Sequence, residues 1–272
     1  MKKLYKSYCS FWNKTKKGIA DTCCFSWNRY VRGIKIDDNP AFIVGCGHSG
    51  TSVLLAILGS HPNIYAVPYE SRVAEIEDDP ANFQKSVAGF DKSAVAAGKR
   101  RWLEKTPKHI HDIGKILGWL PDARFIIILR DGRDVAYSIK QRTGSLEDGV
   151  HRWIDDNNAG KEFWSHPQVH VLKYEELVSD FEKTVSAALE FLGESYDSTV
   201  ENYHTKKRKW YSNRVRLPEN AFGRNNHKEY RNWQINQPLF DGRGKWKNLS
   251  DDEQAYVEKT AGPLLKELGY IE

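Results

Sequence analysis

The feature that most constrains the fold is a glycine-rich turn between an apolar run and a helical stripe. Residues Ala41–Val44 are apolar and predict a strand, and the turn Gly45–Ser52 follows directly. From Thr51 to Leu58 the apolar residues recur with helical spacing, and Gly59 is a suitable helix end. Such a turn exposes backbone N–H groups at the start of a helix, where they form a cradle for an anion. A tight strand–helix connection without a ligand is the alternative.

Further apolar runs extend this pattern along the chain. Phe125–Leu129 is a run of five apolar residues, typical of a parallel strand that is covered on both faces, and Val169–Lys173 predicts another strand. Helices are predicted over Asp134–Gln141, Leu146–Trp164, Tyr174–Phe191 (ended by Gly193) and Ser250–Leu268. The alternation of strands and helices along the chain predicts an α/β protein of three layers. We expect a P-loop-like, open, mostly parallel sheet with helices on both faces and ligands at the strands' carboxyl ends.

The glycine-rich turn differs from a nucleoside triphosphate loop at one position. Against the pattern GxxxxGK[ST] it has both glycines and the final Ser52, but Thr51 stands where the phosphate-binding lysine is needed. A triphosphatase would therefore lack the group that pairs with the β- and γ-phosphates. The turn suits a less highly charged oxyanion.

A second candidate anion site begins where the strand Phe125–Leu129 ends. Arg130 follows the strand, and Ser138 lies eight residues further on, within the next predicted helix. A guanidinium offers two parallel donors and the hydroxyl a third, an arrangement that suits a terminal phosphate monoester. An ordinary ion pair between Arg130 and Asp131 is the alternative.

Together the two sites resemble the sulfotransferases that use 3′-phosphoadenosine 5′-phosphosulfate (PAPS). The likeness rests on an Ile-Val-Gly-x-x-x-Ser-Gly-Thr-Ser turn and a strand that ends Leu-Arg-Asp-Gly-Arg-Asp-Val-Ala-x-Ser. Three further stretches agree with it: Glu104–His109, Lys173–Leu177 and Gly242–Trp246. It spans roughly residues 41–270 and is closest in motif style to the carbohydrate and tyrosylprotein sulfotransferases.

The resemblance implies a set of residues that bind PAPS as co-substrate, with no metal expected. Backbone amides of the turn, with the Thr51 and Ser52 hydroxyls, are implied to hold the 5′-phosphosulfate. Arg130 and Ser138 match the ligands of the 3′-phosphate, and Arg243 the late loop that closes over the nucleotide. The full set is Gly47, His48, Ser49, Gly50, Thr51, Ser52, Arg130, Ser138, Arg243, Gly244 and Trp246.

The same resemblance implies the catalytic residues His48, Lys105 and Glu70. The family normally has Lys or Arg at position 48; a histidine there carries no fixed charge, and its pKa lies near neutral pH. Either His48 acts protonated, or Lys105 supplies the cation at the transferred group. Glu70 lies in a Tyr-Glu-Ser-Arg stretch that resembles the base-bearing stretch of tyrosylprotein sulfotransferases. The alternatives are a solvated lysine and a surface Glu70 paired with Arg72.

Charge is distributed unevenly between two predicted parts, a basic aromatic arm over 1–38 and a sulfotransferase-like domain over 39–272. Residues 1–36 hold seven Lys, two Arg and one Asp, a net charge of +8, so a chain of net charge +5 has a slightly acidic remainder of −3. This argues against a general nucleic-acid-binding domain and favours an arm near an anionic membrane surface, or one packed on the domain. Four cysteines without zinc-like spacing, and no apolar signal segment, predict a cytoplasmic protein, with the arm as its contact to a membrane.

The predicted function is transfer of a sulfuryl group from PAPS to an acceptor hydroxyl or amine. Two alternatives stay open: a P-loop nucleotide kinase or nucleotidase, and a non-catalytic nucleotide-binding peripheral membrane protein. The acceptor is left open among carbohydrate, lipid-linked glycan, peptide and small alcohol, because acceptor pockets come from variable loops. The basic stretch Lys206–Trp210 is predicted to form part of a lid or of the acceptor site. A solvated loop is the next alternative and a nucleic-acid contact the last.

Overall fold

The structure is a computed structural model that describes Ile36 and residues 38–210 and 226–272. Of the predicted arm, only Ile36 and Asp38 are described, so the division between arm and domain stays a prediction. Arg214 and Arg216, which follow the basic stretch Lys206–Trp210, also lie outside the described residues.

A five-stranded sheet forms the middle layer. Its strands are β1 (Ala41–Val44), β2 (Ile64–Ala66), β3 (Arg101–Lys105), β4 (Arg124–Leu129) and β5 (Val169–Lys173). The strand order is β2-β3-β1-β4-β5, and every pair is parallel, with Ile43 opposite Lys105 on one side and Ile126 on the other. The predicted α/β fold with a parallel sheet is confirmed. Parallel order brings the carboxyl ends of all five strands to one edge.

Ten α-helices surround the sheet in the described part of the chain. They are α1 (Thr51–Leu58), α2 (Val73–Ile76), α3 (Pro80–Ala96), α4 (Ile113–Trp119), α5 (Gly132–Thr143), α6 (Leu146–Lys161), α7 (Tyr174–Ser179), α8 (Phe181–Leu192), α9 (His227–Gln234) and α10 (Asp251–Glu267). Short 3₁₀ turns cover Pro107–His111, Ser198–Val200 and Lys245–Asn248. None of the described helices is both long and apolar enough to span a bilayer.

Two apolar cores lie on opposite faces of the sheet, which explains the uninterrupted apolar strands. In β1, Phe42 and Val44 point into one core and Ala41 and Ile43 into the other, and all four are fully buried. Helices α3 to α6 and α10 cover the first face, and α1 and α8 cover the second. Because both faces are covered, β1 and the run Phe125–Leu129 of β4 are apolar without polar alternation.

One predicted helix is wrong in its extent. The range Tyr174–Phe191 forms two helices, α7 and α8, because Asp180 leaves the helical region with φ −144° and ψ 69°. Its amide donates to the Glu176 carbonyl and closes α7, while its own carbonyl accepts from the Thr184 amide and hydroxyl and opens α8. A short acidic side chain favours such a break over a continuous helix. The helix predicted over Leu146–Trp164 ends at Lys161.

Candidate active site

The glycine-rich loop 45–52 connects β1 to α1 at the carboxyl edge of the sheet. Gly45 has φ 142°, and a Cβ there would lie 2.6 Å from the carbonyl oxygen of Ile128. Gly50 precedes α1 with φ 101° and makes no side-chain cap, so the first amides of α1 are left for another acceptor. The glycines that the backbone path of the loop requires therefore also leave the first amides of α1 available to an anion.

His48 holds a strained position within this loop. It has φ 75°, in the left-handed region that costs a non-glycine residue about 1–2 kcal/mol. Its Nδ1 lies 2.8 Å from the Ser138 hydroxyl oxygen, and its carbonyl accepts from Arg130 Nη1 at 2.9 Å. Strain of this kind persists where the surroundings enforce it. His48 is thus fixed by the two residues that the sequence predicts for the 3′-phosphate.

Arg130 joins the glycine-rich loop to a second loop, 240–244. It follows β4, is 8% exposed, and its Nη2 donates to the Gly242 carbonyl at 2.6 Å. The guanidinium also lies 4.4 Å from the centre of the Tyr174 ring, a cation–π contact from the start of α7. The predicted alternative for Arg130, an ion pair with Asp131, is not what the structure shows, because Asp131 pairs with Arg133 at 2.7 Å.

These groups surround a first cavity of about 220 Å³. Among the predicted cofactor residues, those that line it are His48, Gly50, Thr51, Ser52, Arg130 and Ser138. Sequence reasoning missed other lining residues, which include Asp134, Tyr137, Arg142, Tyr174, Tyr230, Arg231, Phe240 and Lys245. The cavity therefore combines loop amides, an arginine and aromatic rings in one place.

The late loop lies differently from the prediction. The Gly244 and Trp246 amides donate to the two carboxylate oxygens of Asp134, at 2.9 and 3.0 Å. Arg243 pairs with Asp241 at 2.7 Å at the surface, and the Trp246 ring packs under Arg133. Burial raises the pKa of Asp134 above its ordinary value, although these amides oppose the rise. Of this loop, Lys245 rather than the three predicted residues lines the cavity.

Lys105 and Glu70 form an ion pair beside the glycine-rich loop. The Lys105 side chain is 1% exposed at the end of β3, whereas that of Glu70 is 35% exposed on the loop after β2. Burial would raise the pKa of Glu70, but the charge of Lys105 and its hydrogen bond outweigh burial and hold it below its ordinary value. The alternative partner, Arg72, pairs with Glu75 at 2.8 Å.

A buried carboxylate fixes the loop that carries Glu70. Glu104 is fully buried in β3 and accepts from the Ser71 amide at 3.0 Å and the Ser71 hydroxyl at 2.9 Å. The Thr106 hydroxyl donates to the same oxygen at 2.6 Å, and it accepts from the Arg72 amide at 3.1 Å. Glu104 therefore fixes the backbone next to Glu70. The sequence stretch Glu104–His109 did not predict this role.

Two further histidines, His109 and His61, make structural contacts. His109 is fully buried, accepts from the Ala74 amide through Nε2, and places Nδ1 3.2 Å from Glu104. Burial would raise the pKa of Glu104, but His109 and the hydrogen bonds to Glu104 outweigh burial and lower it. His61 accepts from the Asn63 amide and contacts the Ser195 carbonyl at 3.0 Å. Neither histidine lines the cavity.

A second cavity of about 350 Å³ adjoins the first. Glu70 and Gly47 line it, and two arginines, Arg142 and Arg231, line both cavities. Arg231 Nη1 donates to the Ser52 hydroxyl at 3.1 Å. Of the predicted catalytic residues, His48 lines the first cavity and Glu70 the second, whereas the buried Lys105 lines neither and contacts the site through its pair with Glu70. Arg208 of the basic stretch instead binds the Gly59 carbonyl and lines neither.

Part of this chain is similar in sequence to a protein family and to a known bacterial protein. The sulfotransferase family model matches residues 75–198. An uncharacterised protein of Aquifex aeolicus (strain VF5) is 25% identical over 207 residues. That match covers 62% of this chain and 27% of the relative, so it spans about a quarter of the relative's length.

Solved sulfotransferases share the fold. The sulfotransferase domain of a curacin biosynthetic pathway superposes with a TM-score of 0.60 at 15% identity, over 84% of this chain and 97% of the domain. The domain of the Synechococcus PCC 7002 olefin synthase gives 0.55 at 16% identity, over 84% and 96%. A mouse sulfotransferase in complex with PAP gives 0.53 at 16% identity, over 87% and 90%. At these identities the likeness concerns the fold.

Proposed function

We propose that this chain, which a sulfotransferase family model matches over residues 75–198, transfers a sulfuryl group from PAPS to an acceptor hydroxyl or amine. The observation that carries the proposal is the meeting of three anion-binding elements in the first cavity. These are the uncapped start of α1, the Arg130 guanidinium after β4, and the Ser138 hydroxyl on α5. Together they offer an N-terminal helix site, a guanidinium and a hydroxyl as donors to the anionic groups of a nucleotide.

The residues present fit PAPS. Among the described residues, the Thr51 and Ser49 hydroxyls and Arg130 Nε are buried polar groups with no hydrogen-bond partner. Buried groups of this kind are costly unless a ligand or water satisfies them. The amides of loop 45–52 with Thr51 would hold the 5′-phosphosulfate, and Arg130 with Ser138 would hold the 3′-phosphate. PAPS supplies the sulfuryl group, already joined to a good leaving group.

The reaction proceeds by in-line displacement. The acceptor oxygen or nitrogen forms a bond to sulfur as the bond from sulfur to the 5′-phosphate oxygen breaks, and adenosine 3′,5′-bisphosphate leaves. Glu70 takes the acceptor proton; because Lys105 lowers its pKa, Glu70 is ionised at neutral pH and ready to accept. Lys105 supplies positive charge beside the reacting sulfur, and His48 supplies a subsidiary hydrogen bond.

Turnover tests this proposal. Purified chain is incubated with [³⁵S]PAPS and a panel of hydroxyl and amine acceptors, and labelled product is separated from PAPS. We expect acceptor-dependent labelling that falls by about 10²–10³ in Lys105→Ala and by about 10²–10⁴ in Glu70→Gln. Glu190→Gln, on the exposed surface of α8, is the matched control. Near wild-type labelling by both active-site variants would mean that the catalytic residues are misassigned.

The nucleotide kinase alternative predicts a different ligand. Thr51 leaves the loop without the lysine that a triphosphate needs. Thermal shift distinguishes the two functions: we expect adenosine 3′,5′-bisphosphate to raise the melting temperature more than ATP with Mg²⁺. The reverse order would favour the kinase. In the described part of the chain, no cluster of three or more metal-ligating side chains is found.

A further inference from the structure

The second cavity lies where an acceptor would have to enter. It is lined by Gly47 of the glycine-rich loop and by Glu70, the proposed base. Arg142 and Arg231 form the boundary with the nucleotide cavity, since they line both. A molecule in the second cavity would therefore meet the transferred group at this boundary.

The lining of this cavity is strongly cationic. Six of its residues are basic and two are acidic, which leaves a formal excess of four positive charges. The basic residues are Arg72, Lys108, Arg142, Arg152, Lys228 and Arg231. By contrast, residues 37–272 as a whole carry a net charge of −3. The excess is therefore a local feature of this cavity and not a consequence of a basic domain.

Both acidic residues in the lining already have cationic partners. Glu70 pairs with Lys105, which does not line the cavity, and Glu75 pairs with Arg72 at 2.8 Å. Arg152 is 3.4 Å from Asp156. Two further cations of the lining, Lys108 and Lys228, are exposed to solvent at the rim of the cavity.

Three arginines reach the site from three different helices. Arg142 lies in the last turn of α5, Arg152 in α6 and Arg231 in α9. Burial, followed by repulsion from Arg231 and Arg152, lowers the pKa of Arg142 below its ordinary value. The charge of Glu70 opposes this shift only in part, and like charges that crowd together favour a further anion among them. Three separate helices that bring arginines together indicate a built anion site rather than a solvated surface.

We propose that this cavity binds the acceptor and that the acceptor is a multiply anionic saccharide, an inference that rests on the proposed sulfotransferase function. Its charge favours a molecule with several carboxylates or ester anions. Among the described residues that line it, none is aromatic and only Gly47 and Pro107 are apolar. The cavity thus offers no apolar surface for a steroid-like alcohol or for a tyrosine ring, whereas its guanidinium, ammonium and hydroxyl groups suit a hydroxylated, charged sugar.

Binding of defined tetrasaccharides tests the inference. The probes are a chondroitin tetrasaccharide, its sulfated form, and a carboxyl-reduced, uncharged counterpart; an acidic tyrosyl peptide is the competing acceptor. Each is titrated by calorimetry into the protein with and without adenosine 3′,5′-bisphosphate. We expect the two charged saccharides to bind and the uncharged one to bind at least tenfold more weakly. Affinity should also fall as ionic strength rises, because these contacts are electrostatic.

A double substitution, Lys108→Gln with Lys228→Gln, removes two exposed cations from the rim. We expect it to weaken charged-saccharide binding by roughly 2- to 30-fold, since each exposed ion pair contributes a factor of about 1.4–5. The matched control is Lys85→Gln with Lys92→Gln, two exposed lysines on α3 away from the cavity.

Bisphosphate affinity, measured in the same samples, separates the two proposals. This affinity should be unchanged in both double variants. A wild-type protein that does not bind the bisphosphate would count against the sulfotransferase function itself. The acceptor inference is overturned if the uncharged saccharide binds as well as the charged ones, if the tyrosyl peptide binds better, or if neither charged saccharide binds. It is also overturned if the rim variant binds charged saccharide as tightly as the control.

Discussion

Removal of the Arg130 guanidinium should weaken binding of adenosine 3′,5′-bisphosphate strongly. In the structure this group donates to the carbonyls of His48 and Gly242 and stacks on Tyr174, so it joins the two loops that border the nucleotide cavity. A charge-assisted hydrogen bond contributes about 1.5–3 kcal/mol. At 1.4 kcal/mol for each factor of ten, Arg130→Ala should raise the Kd by roughly 10- to 150-fold.

Calorimetry on the wild-type protein and three variants measures this effect. Arg124→Ala is the matched control, because Arg124 lies at the opposite end of the same strand, where its guanidinium donates to the Phe191 carbonyl. Arg130→Lys keeps the charge but loses the second donor, so its Kd should fall between wild type and Arg130→Ala. Melting temperatures, recorded in parallel, show whether each variant is folded. A folded Arg130→Ala protein with a Kd within twofold of wild type would refute the assignment.

Three other predictions concern the proposed base, His48 and the N-terminal arm. The acid limb of the pH–rate profile should lie below the ordinary pKa of a glutamate, because Lys105 lowers the pKa of Glu70; in Lys105→Ala that limb should move to higher pH, and an unmoved limb would exclude Glu70 as the base. His48→Arg should preserve or raise turnover if position 48 needs only a cation. Loss of turnover in this variant would show that the imidazole itself is essential. Deletion of residues 1–36 should leave bisphosphate binding intact and weaken binding to anionic liposomes, as measured by co-sedimentation; equal liposome binding by both forms would favour an arm packed on the domain.

The strands that are apolar on both faces could be predicted from sequence alone. The bounds of β1, α1 and β5 agree with the prediction to the residue, and β4 differs by one. Strand β3 was not predicted as a strand, because its sequence Arg-Trp-Leu-Glu-Lys places three charges in five residues. Those charges are buried against partners far along the chain, Arg101 against Glu194 and Lys105 against Glu70. Local patterning cannot reveal such partners.

The candidate site could be predicted only in part, for a similar reason. The glycine-rich loop and the Arg130 motif are short contiguous signals, and the structure brings them to one cavity. Arg142, Arg152 and Arg231 carry no motif; they meet because α5, α6 and α9 converge. Arg243 was predicted from its loop, but Asp241, two residues earlier, pairs with it at the surface. Convergence of separate helices and competition from a local partner are both properties of the folded chain.

The most direct test of the proposed PAPS site compares two affinities of the protein, for adenosine 3′,5′-bisphosphate and for adenosine 5′-monophosphate. Both are measured by calorimetry under one buffer condition. The two ligands differ only in the 3′-phosphate, which Arg130 and Ser138 are proposed to bind. We expect the bisphosphate to bind at least about tenfold more tightly, the contribution of one charge-assisted contact. Equal affinities, or binding of neither nucleotide, would contradict the proposed site.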